Sequence, residues 1–212
     1  MSKEVALTET PFDKRHLCWF CEEPAGGLFT FVSPQTSAVA LPVCRECKQI
    51  ANTRELDSLY EYRLYVKDTL LKRYAKHLAI GSNWTREELE DSGFDCKILG
   101  GFKKSAWFMY EVARDRINAR GWPLTVNGLP VEESVTDIGF EHGGLTFSSL
   151  NAAAHHFSQT QGLDEAFLCA LVKILGRDRF GYALRLANLY RVASAKEKKQ
   201  FLREIKEDEA QL

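Results

Sequence analysis

Four of the six cysteines stand in two pairs of identical spacing, Cys18-Trp-Phe-Cys21 and Cys44-Arg-Glu-Cys47. Two intervening residues let a tight turn offer both thiolates of a pair to one ion, and two such turns complete a tetrahedron of soft donors. Zinc is the expected ion, bound by Cys18, Cys21, Cys44 and Cys47. Its role is structural, because four thiolates leave no open position for water or substrate. The 22 residues between the pairs slightly exceed the usual window for such sites. A redox reading of either pair needs a strand-helix-strand setting that the sequence does not offer. Cys96 and Cys169 stand alone and read as small buried apolar residues. The histidines build no second centre. Four thiolates already satisfy an ion, so His16 reads as solvent-facing, and His77, His142, His155 and His156 have neither metal-box spacing nor a nucleophile signature. His155 and His156 are consecutive on an expected helix and so point roughly 100° apart.

The elements that must position these thiols are legible from periodicity. Gly27–Val32 and Ala38–Val43 are strand-like, and Ser33-Pro-Gln-Thr-Ser37 supplies turn chemistry, giving a hairpin bracketed by the cysteine pairs and absorbing the long spacing. Strand content is expected to end there. From Asn52, read as an N-cap, the apolar residues Leu56, Leu59, Val66, Leu70, Tyr74 and Leu78 mark one face of a long helix reaching about Ala79. Thr85-Arg-Glu-Glu88 is a capping box opening a short helix that Gly93 ends. A third helix spans about Lys103 to Arg120, with Trp107, Tyr110, Ala113, Arg114 and Ile117 on one side and Gly121 as terminator. Residues 125–144 combine acids with five Gly or Pro positions and read as a connector. Four helices follow, over Ser148–Phe157, Leu163–Leu175, Asp178–Val192 and Ala195–Glu209. The fold class is therefore α+β and mainly helical. Its segments are a zinc-knuckle hairpin unit (1–51), a helical extension (52–124), the acidic connector (125–144) and a C-terminal helical module (145–212).

The run from Leu17 to Leu78 resembles the zinc-bearing form of the HNH, or ββα-metal, nuclease fold, in which two Cys-x-x-Cys knuckles brace a hairpin and a following helix. Cys44-Arg-Glu-Cys47, the stretch Leu59 to Tyr74, and Trp84-Thr-Arg-Glu-Glu-Leu89 with Gly93 extend the likeness to HNH-like proteins of phage and bacteria, covering a little over half the chain. The family carries Asp-His-Val-x-Pro on its first strand. This chain has Thr30-Phe-Val-Ser-Pro34 there, and Lys48 stands where an Asn usually follows the last cysteine. Phe31 cannot accept a proton, so the general base is missing and no catalytic residue is assigned. The resemblance implies the scaffold of a nuclease without its chemistry.

Charge gives a second clue. Twenty-eight Lys and Arg against 29 Asp and Glu leave a net charge of −1, so any phosphate-binding surface must come from local segregation. Arg63, Lys67, Lys72, Arg73 and Lys76 outnumber Glu61 and Asp68 along the first long helix, with Tyr62, Tyr65 and Tyr74 interleaved. A solvated helix face with core tyrosines accounts for the same residues. No Lys or Arg occurs between Arg120 and Lys173. From Lys173 to Arg203 nine basic residues, Arg177, Arg179 and Arg185 among them, face only Asp178 and Glu197. Leu145 to Phe157 is similar to the opening of the helical modules that accompany some phage and homing nucleases, although the next helix, Glu165 to Ile174, is apolar enough to be a core element.

The composition, 45% hydrophobic and 27% charged, excludes wholesale disorder. No apolar run reaches the roughly 18 residues of a spanning helix and no signal layout opens the chain, so the expected setting is cytoplasmic, without a membrane partner. The expected function is non-catalytic, zinc-dependent nucleic-acid binding, of DNA, through Arg63, Lys67, Lys72, Arg73, Lys76, Arg177, Arg179 and Arg185. The alternatives are an HNH-type nuclease with non-standard catalytic residues, and a regulatory module of phage or mobile-element origin with a protein partner.

Overall fold

Phe29 and Phe31 alternate with Leu28, Thr30 and Val32, the period-two pattern that buries one face of a strand. The structure is a computed structural model that describes residues 5–32, 38–92, 97–131 and 139–209, without the side chains of residues 97–100. In it Phe29 and Phe31 are buried while Leu28, Thr30 and Val32 face outward. Strands β1 (Val5–Leu7), β2 (Gly27–Val32) and β3 (Ala38–Val43) form one sheet in the order β1-β3-β2. β2 and β3 are antiparallel from Gly27↔Val43 to Val32↔Ala38, and β1 runs parallel to β3 on its other edge. The hairpin strands have the expected bounds, whereas the turn at Ser33–Ser37 and the helix stop at Gly93 lie outside the described residues.

Strand content does not end with this hairpin. Besides β1, the supposed connector holds one small hairpin, β4 (Thr125–Val126) with β5 (Leu129–Pro130), and the first strand and turn of another, β6 (Phe140–His142) with β7 (Leu145–Phe147). Asn127 and Gly128 have φ of 52° and 75°, and Gly143 and Gly144 of 58° and 73°. Two successive left-handed residues are what a two-residue hairpin turn requires, so glycines that suggested a linker are turn chemistry. Strands of two or three residues are too short to show alternation in sequence.

The described helices are α1 (Arg45–Ala51), α2 (Leu59–Arg73), α3 (Ala75–Asn83), α4 (Arg86–Asp91), α5 (Lys97–Asn118), α6 (Leu150–Gln161), α7 (Glu165–Leu175), α8 (Phe180–Leu189) and α9 (Ala195–Glu209). The single helix expected over 52–79 is corrected to the end of α1, a loop, and the pair α2 and α3. Asn52 closes α1, its N–H donating to Lys48 O at 3.0 Å, and does not open a helix. The true start is Ser58-Leu-Tyr-Glu61. Ser58 Oγ accepts from Glu61 N at 3.1 Å, and Glu61 Oε2 accepts from Asp57 N at 3.1 Å. The capping box at Thr85 and Glu88 is present with both hydrogen bonds.

The chain divides into two compact units, residues 1–73 with 111–139 and residues 74–110 with 140–212. This differs from the consecutive segments expected from sequence. α5 contributes Tyr110 to the second core and Ala113 and Ile117 to the first. The apolar face read as one helix is likewise shared, with Leu59, Val66 and Leu70 in the first unit and Leu78 in the second. The 3.6-residue period passes through Tyr74 without interruption, which is why the break was not legible.

In the second unit α7 packs against α6, α8 and α9, burying Phe167, Leu168, Leu171, Val172 and Leu175. An element enclosed by three neighbours must be apolar nearly all round. Caps fix both ends of α6 and the start of α7: Ser149 Oγ accepts from Ala152 N at 3.1 Å, Gly162 ends α6 at φ 64°, and Asp164 Oδ1 accepts from Phe167 N at 3.0 Å. Beside α6, Phe140, Phe147, Phe157 and Phe180 enclose His142 and His156.

His156 is 3% exposed and its Nε2 has no hydrogen-bond partner among the described residues. Burial, with His155 adding to it, lowers its pKa to about 4. A folded-state pKa below the ordinary value near 6.5 means that this contribution to stability is complete above about pH 6.5 and is lost as pH falls toward 4. Urea unfolding of the second-unit transition should therefore show a loss of about 2–3 kcal/mol between pH 7.5 and 4.5 from this group, and His156→Leu should remove that share of the acid sensitivity. Identical pH profiles for the two proteins would contradict it.

Candidate metal centre

The first cysteine pair sits on a turn that closes on itself. Cys18 N donates to Glu23 O at 2.7 Å, and Glu22 N to Cys18 O at 2.8 Å. Glu22 takes a left-handed φ of 56°, turning the chain so that both thiols point to one side. The two residues between the thiols are anchors. Trp19 and Phe20 are 6% and 0% exposed, Trp19 N donates to Pro42 O of β3, and Trp19 Nε1 donates to Trp122 O at 2.8 Å. Gly121 lies against Trp19, and a Cβ there would come within 2.7 Å of Trp19 O.

The second pair joins the end of β3 to α1. Cys44 is the N-cap of α1, its Sγ accepting from Cys47 N at 3.3 Å, so the helix start itself fixes the direction of two thiols. All four cysteines are buried. Their sulfurs lie within 4.8 Å of one another, with Cys21 Sγ and Cys44 Sγ 3.7 Å apart. A disulfide needs about 2 Å. A tetrahedron of ~2.3 Å metal–sulfur bonds places its corners about 3.8 Å apart, so the arrangement fits a four-thiolate metal site. His16 is exposed and takes no part, as expected. Cys169 is half-buried, and Cys96 lies outside the described residues.

Packed this closely, the four thiols cannot all ionise without a cation among them. Hydrogen bonds within the cluster, that with Cys18 first, hold Cys47 above the ordinary thiol range and Cys21 and Cys44 below it, while Cys21 raises Cys18. Around the sulfurs stand groups that sequence reading did not connect with them. Arg116 of α5, 7% exposed, donates from NH2 to Glu46 Oε2 at 2.6 Å and lies 3.8 Å from Cys21 Sγ. Glu46 Oε1 accepts from Arg73 NH1 at 2.6 Å. Burial works against the Arg116 charge, but the Glu46 hydrogen bond and the Cys21 thiolate outweigh it and raise its pKa. Glu46 lies inside the second cysteine pair, whereas Arg116 is 70 residues away from it, so no local signal joins them.

The basic residues singled out from sequence have separate fates. Lys67 donates from Nζ to Arg116 O at 2.7 Å. Burial lowers its pKa to about 7, with Cys21, Cys47 and Cys18 pulling the other way. Arg63 donates to Arg120 O at 2.8 Å, and Arg73 holds Glu46. The stripe on the first long helix is thus largely turned to intramolecular use, leaving Lys72 and Lys76 exposed, one in each unit. Tyr62 is core, edge-on to Phe29 and Phe31. In the second unit Arg179 forms an ion pair with Glu209. Arg177 and Arg185 are exposed, lying over the rings of Phe140 and Tyr182.

Together these features define an α+β protein with a buried four-cysteine cluster, able to hold a metal ion, where a β-hairpin meets a short helix. Comparison with protein-family models, curated proteins and solved structures finds no match, so the site is read from its own geometry. Among the described residues no helix is long and apolar enough to cross a membrane.

Freshly purified protein is expected to hold one divalent ion per chain by elemental analysis. Cys47→Ser should lose that ion and destabilise the first unit, because three thiolates leave an open and weaker site. Full metal content in Cys47→Ser would show that the ion sits elsewhere.

Proposed function

We propose that the ion is zinc in a structural role and that the chain is a non-catalytic, HNH-like nucleic-acid-binding protein acting on DNA. Four thiolates favour zinc and fill its coordination shell, leaving no place for a reacting water. The position where the resembled nucleases keep their general base is occupied by Phe31, 3% exposed and packed against Tyr62, so the hairpin face that would do chemistry is part of the core.

The observation that carries the binding reading is the exposed basic set of the second unit. Lys173 stands on the last turn of α7, Arg177 on the following turn and Arg185 on the outer side of α8, three residues from the exposed ring of Tyr182. Cationic side chains beside an exposed aromatic ring offer phosphate contacts together with a surface for base or sugar stacking. From Lys173 to Arg203 only Asp178 and Glu197 oppose the nine basic residues along the sequence. Arg63, Lys67 and Arg73 contribute through the fold of the first unit, and Arg179 through its ion pair with Glu209.

The test is the salt dependence of binding to a short DNA duplex. Log affinity should fall linearly with log salt, and Arg177→Gln with Arg185→Gln should reduce the slope by about two, near one per phosphate contact. Unchanged slope in a folded double variant would overturn the reading. Incubation of plasmid or single-stranded DNA with magnesium, manganese or nickel should leave it intact, since a positioned general base worth roughly 10²–10⁴-fold is missing. Cleavage abolished by a point substitution in this chain would establish an enzyme instead.

A further inference from the structure

We propose that Arg116, clamped by Glu46, is a positioning residue of the metal centre that damps the Cys21 sulfur and sets how firmly the ion is retained. This rests on the four-thiolate metal reading and adds to it a specific outer partner.

A dication held by four thiolates has a net charge of −2, and a buried charge of that size is costly unless compensating charges stand close by. Arg116 NH2 is 3.8 Å from Cys21 Sγ, within hydrogen-bond reach of sulfur, and the side chain is 9% exposed. Its direction is not left to chance. Glu46, between the two thiols of the second pair, takes the same NH2 group at 2.6 Å on Oε2, and its Oε1 takes Arg73 at 2.6 Å from the last turn of α2. Glu46 is thus shared between two guanidinium groups, while Arg116 NH2 keeps its contact with Cys21 Sγ. Lys67 lies within electrostatic reach of Cys21, Cys47 and Cys18, and its Nζ donates to the Arg116 carbonyl at 2.7 Å, which helps to hold that stretch of α5 in place.

An N–H donor on a thiolate draws electron density from the sulfur. It lowers the energy of the sulfur lone pair and makes that thiolate a weaker target for electrophiles and protons. Cys21 is then the ligand whose release the protein suppresses. Without Arg116 it becomes the first sulfur to react and the first to leave.

The experiment uses the full chain loaded with zinc or cobalt(II), as wild type, Arg116→Met, Arg116→Lys and Glu46→Gln. Three quantities are read: transfer of zinc to a chromogenic chelator, the energy of the cobalt–thiolate charge-transfer band, and the first cysteine alkylated by iodoacetamide, mapped by mass spectrometry. Arg116→Met should release zinc at least tenfold faster, in line with typical losses of outer metal partners. Its band should move to longer wavelength, with Cys21 the first cysteine modified. Arg116→Lys should restore part of each effect, and Glu46→Gln should fall between Arg116→Met and wild type. If Arg116→Met fails to fold, the other two variants carry the comparison, because each keeps the positive charge on residue 116. Wild-type release, band energy and alkylation order in the folded variants would overturn the proposal. A wild-type chain that binds neither zinc nor cobalt would overturn the metal reading itself, a distinct result.

Discussion

Four buried sulfurs within 4.8 Å of one another impose the governing constraint on the first unit. They cannot all be thiolates without a cation between them, and as thiols they offer only weak hydrogen bonds to one another. Everything near them answers that constraint. The first pair is held by a left-handed Glu22 and by the burial of Trp19 and Phe20, the second by the start of α1. A small sheet, two of whose three strands have six residues, would gain from a metal ion between these sulfurs a crosslink that its limited core cannot supply alone.

The same constraint explains the polar groups around the cysteines. Arg116, Glu46, Arg73 and Lys67 come from four places in the sequence, yet each is tied by a hydrogen bond of 2.6 or 2.7 Å to another member of the group. Residues that look like a phosphate-binding stripe on a helical wheel therefore include two, Lys67 and Arg73, that help to balance charge inside the fold. A basic helix face and an internal counter-ion are indistinguishable by composition, because both need a long cationic side chain at helical spacing.

The second unit solves a different problem. Its core is apolar and rich in aromatic rings, packed about α7, and its buried polar exceptions include a neutral histidine beside phenylalanine rings. With the apolar work done inside, the outer sides of α7, α8 and α9 are free to present charge. Part of that charge is matched locally, by Asp164 to Lys198 and by Glu209 to Arg179. The absence of basic residues between Arg120 and Lys173 makes the contrast abrupt along the chain.

The sequence by itself determined which four cysteines cluster, the β2–β3 hairpin and the existence of most helices, including the capping box at Thr85 and the apolar character of α7. Each of these is encoded by neighbours: two-residue thiol spacing, alternation over six residues, a cap three positions from its partner. It did not determine that one helical period serves two helices in two units, because the period is unbroken at Tyr74 and only the cores they enter differ. Nor did it determine that the glycines of residues 125–144 turn hairpins, since strands of two or three residues leave no pattern. Above all, the partnership of Arg116 with Glu46 and Cys21 spans 70 and 95 residues, and such distances are closed only when the chain folds. Ligand identity is local chemistry, whereas the electrostatic environment of a ligand is tertiary, because charge acts through space and not along the chain.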